Sequence, residues 1–121
     1  MDFFCLTPIG IRVAYPSRGL LSQLSPAARR RVQGRAELAL TANQHYALSG
    51  VRPGTRLADV ARRLRVGRGF HIGLNTWYLT PGGASRGLLK VRHGVIEEIG
   101  IADPALTSSR AAAGLLLHSV S

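Results

Sequence analysis

The chain is short of cysteine, lysine, acidic residues and long apolar runs, and these shortages exclude several classes of protein. Its single cysteine, Cys5, excludes an internal disulfide framework, a cysteine-based zinc finger and an iron–sulfur site. No stretch approaches the roughly 20 apolar residues that a membrane-spanning helix needs, so no membrane span is predicted. With 121 residues, 45% hydrophobic and 18% charged, the chain is predicted to form one domain, residues 1–121.

The charge is strongly one-sided. Lysine and arginine together number 16 against 6 acidic residues, which gives a formal net charge of +10, and Lys90 is the only lysine. Such a charge attracts polyanions through long-range, salt-dependent steering. Because alanine, glycine and leucine are also abundant, the arginine excess fits genomic composition as well as selection for a ligand. The charge alone therefore assigns no binding site.

The first ten residues do not read as a secretion signal. Position 2 is an acid, no basic segment comes first, and Thr7 and Pro8 interrupt the apolar run. Two interpretations stay open, namely a cytoplasmic chain or the C-terminal domain of a longer exported protein. The sequence leaves the compartment undetermined.

The N-terminal half contains both strand and helix signals. Residues 9–15 alternate apolar and smaller or polar residues, as a strand does. Ser25 followed by Pro26 is typical of a helix N-terminus. Residues 35–48 return to a period of two and predict a hairpin or a bent strand pair.

The clearest helix signal covers residues 55–65. Thr55 is the expected N-cap, and an acid early in the segment and arginines late in it suit the helix dipole. Apolar residues recur at helical spacing and form one stripe: Leu57, Val60, Ala61 and Leu64. A last helix is predicted after the N-cap candidates Thr107, Ser108 and Ser109.

Strands are predicted between these two helices. Residues 70–75 put Phe70, Ile72 and Leu74 on one face, and the strand continues or bends through residues 76–79. Residues 87–92 and 95–101 flank His93-Gly94, the spacing of a two-residue hairpin. Without a bulge, the register would pair Arg92 with Val95, Val91 with Ile96, Lys90 with Glu97 and Leu88 with Ile99.

These elements together predict an α+β domain. An antiparallel sheet from about residue 70 to 102, extended by N-terminal strands, would be packed by two or three helices.

No set of residues predicts catalysis. Glu97 and Glu98 are adjacent, so in a regular strand they point to opposite faces and cannot act on one bond. The four histidines lack metal-ligand spacing, and the glycines near Gly67 and Gly82 match neither a dinucleotide nor a phosphate-loop motif. We expect no catalytic residue, no cofactor and no metal.

Two binding functions from different classes remain. Trp77 and Tyr78 put one ring on each face of a strand, so we expect one in the core and the other at a surface. Together with Lys90 and Arg92, they are the candidate residues of a protein-interaction surface whose partner is unknown. The alternative is a nucleic-acid-binding domain in which two arginine clusters form one basic face: Arg29, Arg30 and Arg31, with Arg62, Arg63 and Arg65.

Residues 51–102, a little under half of the chain, resemble a known family. Gly54-Thr55 precedes an amphipathic helix, and Trp77-Tyr78, the apolar residues 89–91, Gly94-Val95 and Ile99 follow in that order. This order is similar to the SmpA/OmlA (BamE) outer-membrane lipoproteins and to the related β-lactamase-inhibitor-protein fold. The resemblance implies a helix followed by three antiparallel strands, and a non-enzymatic, protein-binding role.

The chain departs from that family's pattern in two places. Residues 64–67 lack the proline that the family usually carries at the end of the helix. Cys5 lacks the apolar leader of a lipobox.

Overall fold

Seven strands form one antiparallel sheet in the computed structural model, which describes residues 2–6, 10–81 and 85–120. The strands are β1 (Asp2–Leu6), β2 (Ile11–Tyr15), β3 (Leu38–Thr41), β4 (Phe70–Ile72), β5 (Asn75–Leu79), β6 (Arg86–Arg92) and β7 (Val95–Ala102). The helices are α1 (Arg18–Gln23), α2 (Pro26–Val32), α3 (Leu57–Leu64) and α4 (Arg110–Val120), with a 3-10 turn at Pro104–Leu106. The strand order is β1-β2-β3-β7-β6-β5-β4, and the predicted α+β class is confirmed.

The helices divide between the two faces of the sheet. α1, α2 and α4 pack on one face, here called the α4 face, against Trp77, Leu79 and Leu88. α3 packs on the opposite α3 face, where Leu89 and Ile96 belong to a second core cluster. Because neighbouring strand residues alternate between faces, β6 contributes Leu88 to one core and Leu89 to the other.

The β6–β7 hairpin has the predicted turn but not the whole predicted register. His93 (φ 53°) and Gly94 (φ 75°) form the two-residue turn, and Arg92 and Val91 pair with Val95 and Ile96 as expected. A β-bulge then shifts the register at Lys90. Beyond it, the predicted Lys90–Glu97 and Leu88–Ile99 pairs are wrong, because one extra β7 residue is inserted: Lys90 pairs with Glu98, Leu88 with Gly100 and Leu89 with Ile99.

Two strand predictions are also wrong in part. Residues 70–75 are not one strand, because the chain reverses at Gly73 (φ 61°), and Leu74 lies at the tip of the β4–β5 hairpin, 80% exposed. Residues 35–48 form only β3, which lies between β2 and β7 and so has no local hairpin partner. The strand predicted over residues 9–15 is β2, with position 9 outside the described residues, as is Gly82.

The helix ends follow the sequence signals with one exception. Ser25 Oγ accepts a hydrogen bond from the Ala28 amide, and Ser109 Oγ accepts one from Ala112, so both are N-caps. Thr55 is not a cap. Its carbonyl instead accepts from the Ile96 amide, which ties the segment before α3 to β7 and delays the helix start.

A carboxyl group is buried at the start of β3. Glu37 is 1% exposed, and neither of its carboxyl oxygens has a hydrogen-bond partner in the described part of the chain. Its backbone joins two segments, since its amide donates to Ala14 and its carbonyl accepts from Asp103. Burial raises the pKa of Glu37 to about 7, because a charged carboxylate is poorly solvated there.

The stability of the protein should fall with rising pH because of Glu37. The folded-state pKa of Glu37 lies above the ordinary value of 4.5. The contribution of Glu37 to the free energy of unfolding is therefore fully present below pH 4.5 and is lost as pH rises through about 7. Its ionisation then lowers the free energy of unfolding by up to roughly 3 kcal/mol. Urea unfolding at pH 5 and pH 8 should show that Glu37→Gln removes this part of the pH dependence. The exposed-acid control Asp59→Asn should keep it, and equal pH dependence in Glu37→Gln and wild type would contradict the assignment.

The second prediction concerns Gly100 in β7. A Cβ at this position would overlap the Ala39 carbonyl on β3, so the β3–β7 pairing requires glycine there. Gly100→Ala should destabilise the protein by about 1–3 kcal/mol in denaturant unfolding. Gly114→Ala, in α4 with open space around it, is the control and should stabilise by up to about 1 kcal/mol. If Gly100→Ala leaves the free energy of unfolding unchanged, the two strands can move apart without loss of stability, which would contradict this prediction.

Candidate anion-binding cleft

Trp77 and Tyr78 lie on opposite faces of β5, as expected. Trp77 is 0% exposed and belongs to the core of the α4 face, so its prediction as a partner-binding residue is wrong. Tyr78 is partly buried on the α3 face, packed near Gly69, where a Cβ would come within 3.0 Å of the ring. Of the two rings, only Tyr78 keeps exposed surface.

Lys90 and Arg92 are paired with acidic residues. Lys90 Nζ lies 3.4 Å from a Glu98 carboxylate oxygen and 3.9 Å from one of Glu97, and Arg92 Nε lies 3.7 Å from Glu97. Arg12 donates to both oxygens of Glu98, at 2.7 and 2.6 Å. The expectation that Glu97 and Glu98 diverge is wrong, because the bulge lets both reach the same ammonium. This cluster carries nearly balanced charge.

The two predicted arginine clusters do not form one basic face. α2, which carries Arg29–Arg31, packs on the α4 face through Val32, whereas α3 packs on the other face through Val60 and Leu64. The sheet therefore separates the two clusters.

Several of these arginines have structural contacts instead. Arg29 donates to the carbonyls of Leu21 and Leu24 at the end of α1, and Arg63 donates to the Ser49 carbonyl. Arg31 lies 3.7 Å from Asp103. Arg30 and Arg62 are exposed on opposite faces of the molecule.

A different set of arginines lines one cleft. The cleft has a volume of about 390 Å³ and lies between the start of α4, the segment after α3, Pro81 and the start of β6. Four arginines line it: Arg65, Arg68, Arg86 and Arg110. No carboxylate from the described residues lines it. The cleft is therefore a local concentration of positive charge without an acidic counterpart.

Backbone carbonyls hold two of the four guanidinium groups in place. Arg86 donates to the carbonyls of Thr80 (3.0 Å) and Thr107 (2.8 Å). Arg110 donates to those of Arg68 (3.2 Å) and Gly69 (2.8 Å). A carbonyl accepts a hydrogen bond but carries no formal charge, so both positive charges remain uncompensated.

The other two arginines are exposed. The side chains of Arg65 and Arg68 form no hydrogen bond or ion pair within residues 10–81 and 85–120. Arg65 ends α3 in the left-handed conformation (φ 53°), which turns the chain toward the cleft. These side chains are available to a ligand without losing an existing partner.

The rest of the lining is apolar or hydroxylic. Phe70, Leu79, Pro81 and Ala113 form an apolar wall, and Thr107, Ser108 and Ser109 lie at the start of α4. The Arg110 guanidinium lies over the Phe70 ring, 4.1 Å from its centroid, which fixes both groups. The lining suits an anion that also carries an apolar part.

Sequence reasoning identified Arg65 and missed the other three arginines. They lie in a loop, at the start of β6 and at the start of α4, and only the fold brings them together. The one local signal was the set of N-cap candidates Thr107, Ser108 and Ser109, which placed Arg110 near a helix start.

The described residues contain neither a cluster of metal-binding side chains nor a membrane-spanning helix. No group of three or more histidine, cysteine, aspartate or glutamate side chains there could hold a metal ion. No helix in the same residues is both long and apolar enough to cross a membrane.

Comparison with known proteins gives no family. No protein-family model matches the chain, and no curated protein matches it. Among solved structures, an extracellular protein containing an SCP domain from Bacillus anthracis str. Ames is similar at a TM-score of 0.48 and 11% identity. The match covers 78% of this chain and 32% of that one, so the chain spans about a third of that protein's length. The resemblance to the BamE family stays a prediction.

Proposed function

We propose that the protein is a non-catalytic nucleic-acid-binding domain that holds phosphates in the arginine cleft. The observation that carries this proposal is that four arginines line one cleft, which has no lining carboxylate among the described residues. Arginine suits phosphate because its planar fork donates two parallel hydrogen bonds. The net charge of +10 adds a long-range attraction for anionic ligands such as nucleic acid.

The cleft is a better candidate than the other basic regions. Lys90 and Arg92 face Glu97 and Glu98, and Arg31 faces Asp103, so a phosphate would have to compete with a carboxylate at each place. At the cleft a phosphate would meet uncompensated charge.

The third prediction compares two double variants of equal charge. Arg65→Ala/Arg68→Ala removes the two cleft arginines whose side chains form no hydrogen bond or ion pair within the described residues, so folding should be unaffected. Fluorescence titration with a labelled single strand at two salt concentrations should show weaker binding and a smaller salt slope, reduced by about 0.7 for each phosphate contact that is lost. Arg30→Ala/Arg62→Ala, which loses the same charge outside the cleft, should keep most of the affinity and the slope.

Two results would contradict the proposal. If both double variants weaken binding equally, net charge alone accounts for it. If the wild-type protein does not bind at low salt, no phosphate site of this kind exists.

A second candidate, protein binding, is supported by a separate observation on the α3 face. Ile101 is 46% exposed although β7 lies in the interior of the sheet, because α3 does not extend over it. It lines a groove of about 140 Å³ with Ile11, Ala39 and Leu48, and no charged side chain of the described residues lines this groove. An uncharged groove on a basic protein suits an apolar segment of a partner protein rather than nucleic acid.

The fourth prediction tests this groove. The wild-type protein and Leu74→Ser should each recover from a cell lysate a partner that is held in the groove, whereas Ile101→Ser should not. The purified partner should then bind the wild-type protein and Leu74→Ser more tightly than it binds Ile101→Ser. Leu74 is the control because it is more exposed than Ile101 and lies at the distant β4–β5 turn. Equal recovery by all three proteins would exclude the groove as the binding surface.

A further inference from the structure

We propose that the arginine cleft receives the end of a nucleic-acid strand, with a terminal phosphomonoester held by the arginines and the attached nucleoside against the apolar wall. This inference rests on the proposed nucleic-acid function and specifies which part of the strand is bound.

The size and shape of the cleft support an end rather than a continuous strand. A cavity of about 390 Å³ lies within the range of roughly 300–1,000 Å³ that holds small molecules. A domain that follows a continuous backbone needs a groove along which successive phosphates are contacted. Here the arginines surround one cavity, whereas Arg30 and Arg62 lie apart from it on different helices.

The charge of the cleft also suits a terminal phosphate. A phosphomonoester carries about −1.5 to −2 charges near neutral pH and three acceptor oxygens, whereas a phosphate within the strand carries one charge. Arg86 and Arg110 are already oriented by backbone carbonyls, so little side-chain freedom is lost when they bind an anion. Arg65 and Arg68 supply two further positive charges.

The apolar wall accounts for the rest of the ligand. Phe70, Leu79 and Pro81 line the same cavity, and Arg110 lies over the Phe70 ring. Inorganic phosphate would leave this wall without a contact. A nucleotide joins a dianion to a sugar and a flat base, so it can use the cationic and the apolar parts together.

The experiment uses the whole chain and three labelled oligonucleotides of one sequence, with a 5′-phosphate, a 3′-phosphate or hydroxyl groups at both ends. A terminal phosphate at one of the two ends should raise the affinity by at least about tenfold. Arg65→Ala/Arg68→Ala should abolish this preference, and the matched Arg30→Ala/Arg62→Ala variant should keep it. Unlabelled inorganic phosphate and a free nucleoside monophosphate serve as competitors.

The outcomes separate this inference from the proposed function. Equal affinity for all three oligonucleotides, reduced by Arg65→Ala/Arg68→Ala, would overturn strand-end recognition and leave the nucleic-acid function standing. No binding of any oligonucleotide would overturn both. If the free nucleoside monophosphate competes at the same concentration as an unlabelled phosphorylated oligonucleotide, the cleft is a site for a free nucleotide. That result would overturn the inference. Competition by inorganic phosphate at that concentration would show a simple anion site, and would overturn it too.

Discussion

The pairing of β6 with β7 is the constraint on which the other parts of the structure depend. β6 supplies Leu88 to one core and Leu89 to the other, and β7 likewise supplies Ala102 and Ile96, so the helices on both faces pack against the same hairpin. β7 also pairs with β3, which joins the N-terminal half of the chain to the C-terminal half. The first residue of β6, Arg86, is one of the two oriented arginines of the cleft. The hairpin therefore holds one of the cleft's four arginines, and α4 and the segment after α3 supply the other three.

Local signals were sufficient for the elements that local chemistry determines. The His93-Gly94 turn, the cap at Ser25, a cap within residues 107–109 and the apolar stripe of α3 could each be inferred from a few neighbouring residues. The bulge opposite Lys90 could not, because the strand pattern is nearly the same with or without one extra residue. The position of β3 between β2 and β7 depends on contacts with residues about sixty positions away, which no local period reveals.

The candidate site was harder to predict than the fold for a related reason. A strand pattern shows that Trp77 and Tyr78 face opposite sides, but which side a helix covers depends on how the whole chain packs. The sequence likewise shows fifteen arginines, but not which of them acquire a carboxylate neighbour. Arg31 acquires one at Asp103, whereas Arg68 and Arg110 meet at a cleft without one. The cleft differs from the other basic regions because its arginines lack carboxylate neighbours among the described residues, and not because it has more positive charge.

The place of β3 in the sheet also has a consequence for how the chain folds. Leu38 pairs with Ala102, so the contacts that complete the centre of the sheet join residues far apart in sequence. Long-range pairing of this kind forms slowly, because the chain loses the entropy of closing the intervening loop before the new contacts stabilise it. During synthesis, β1–β3 are made well before β7, and β3 then has an unpaired edge. This interval is when the nascent chain is most exposed to strand pairing with other chains.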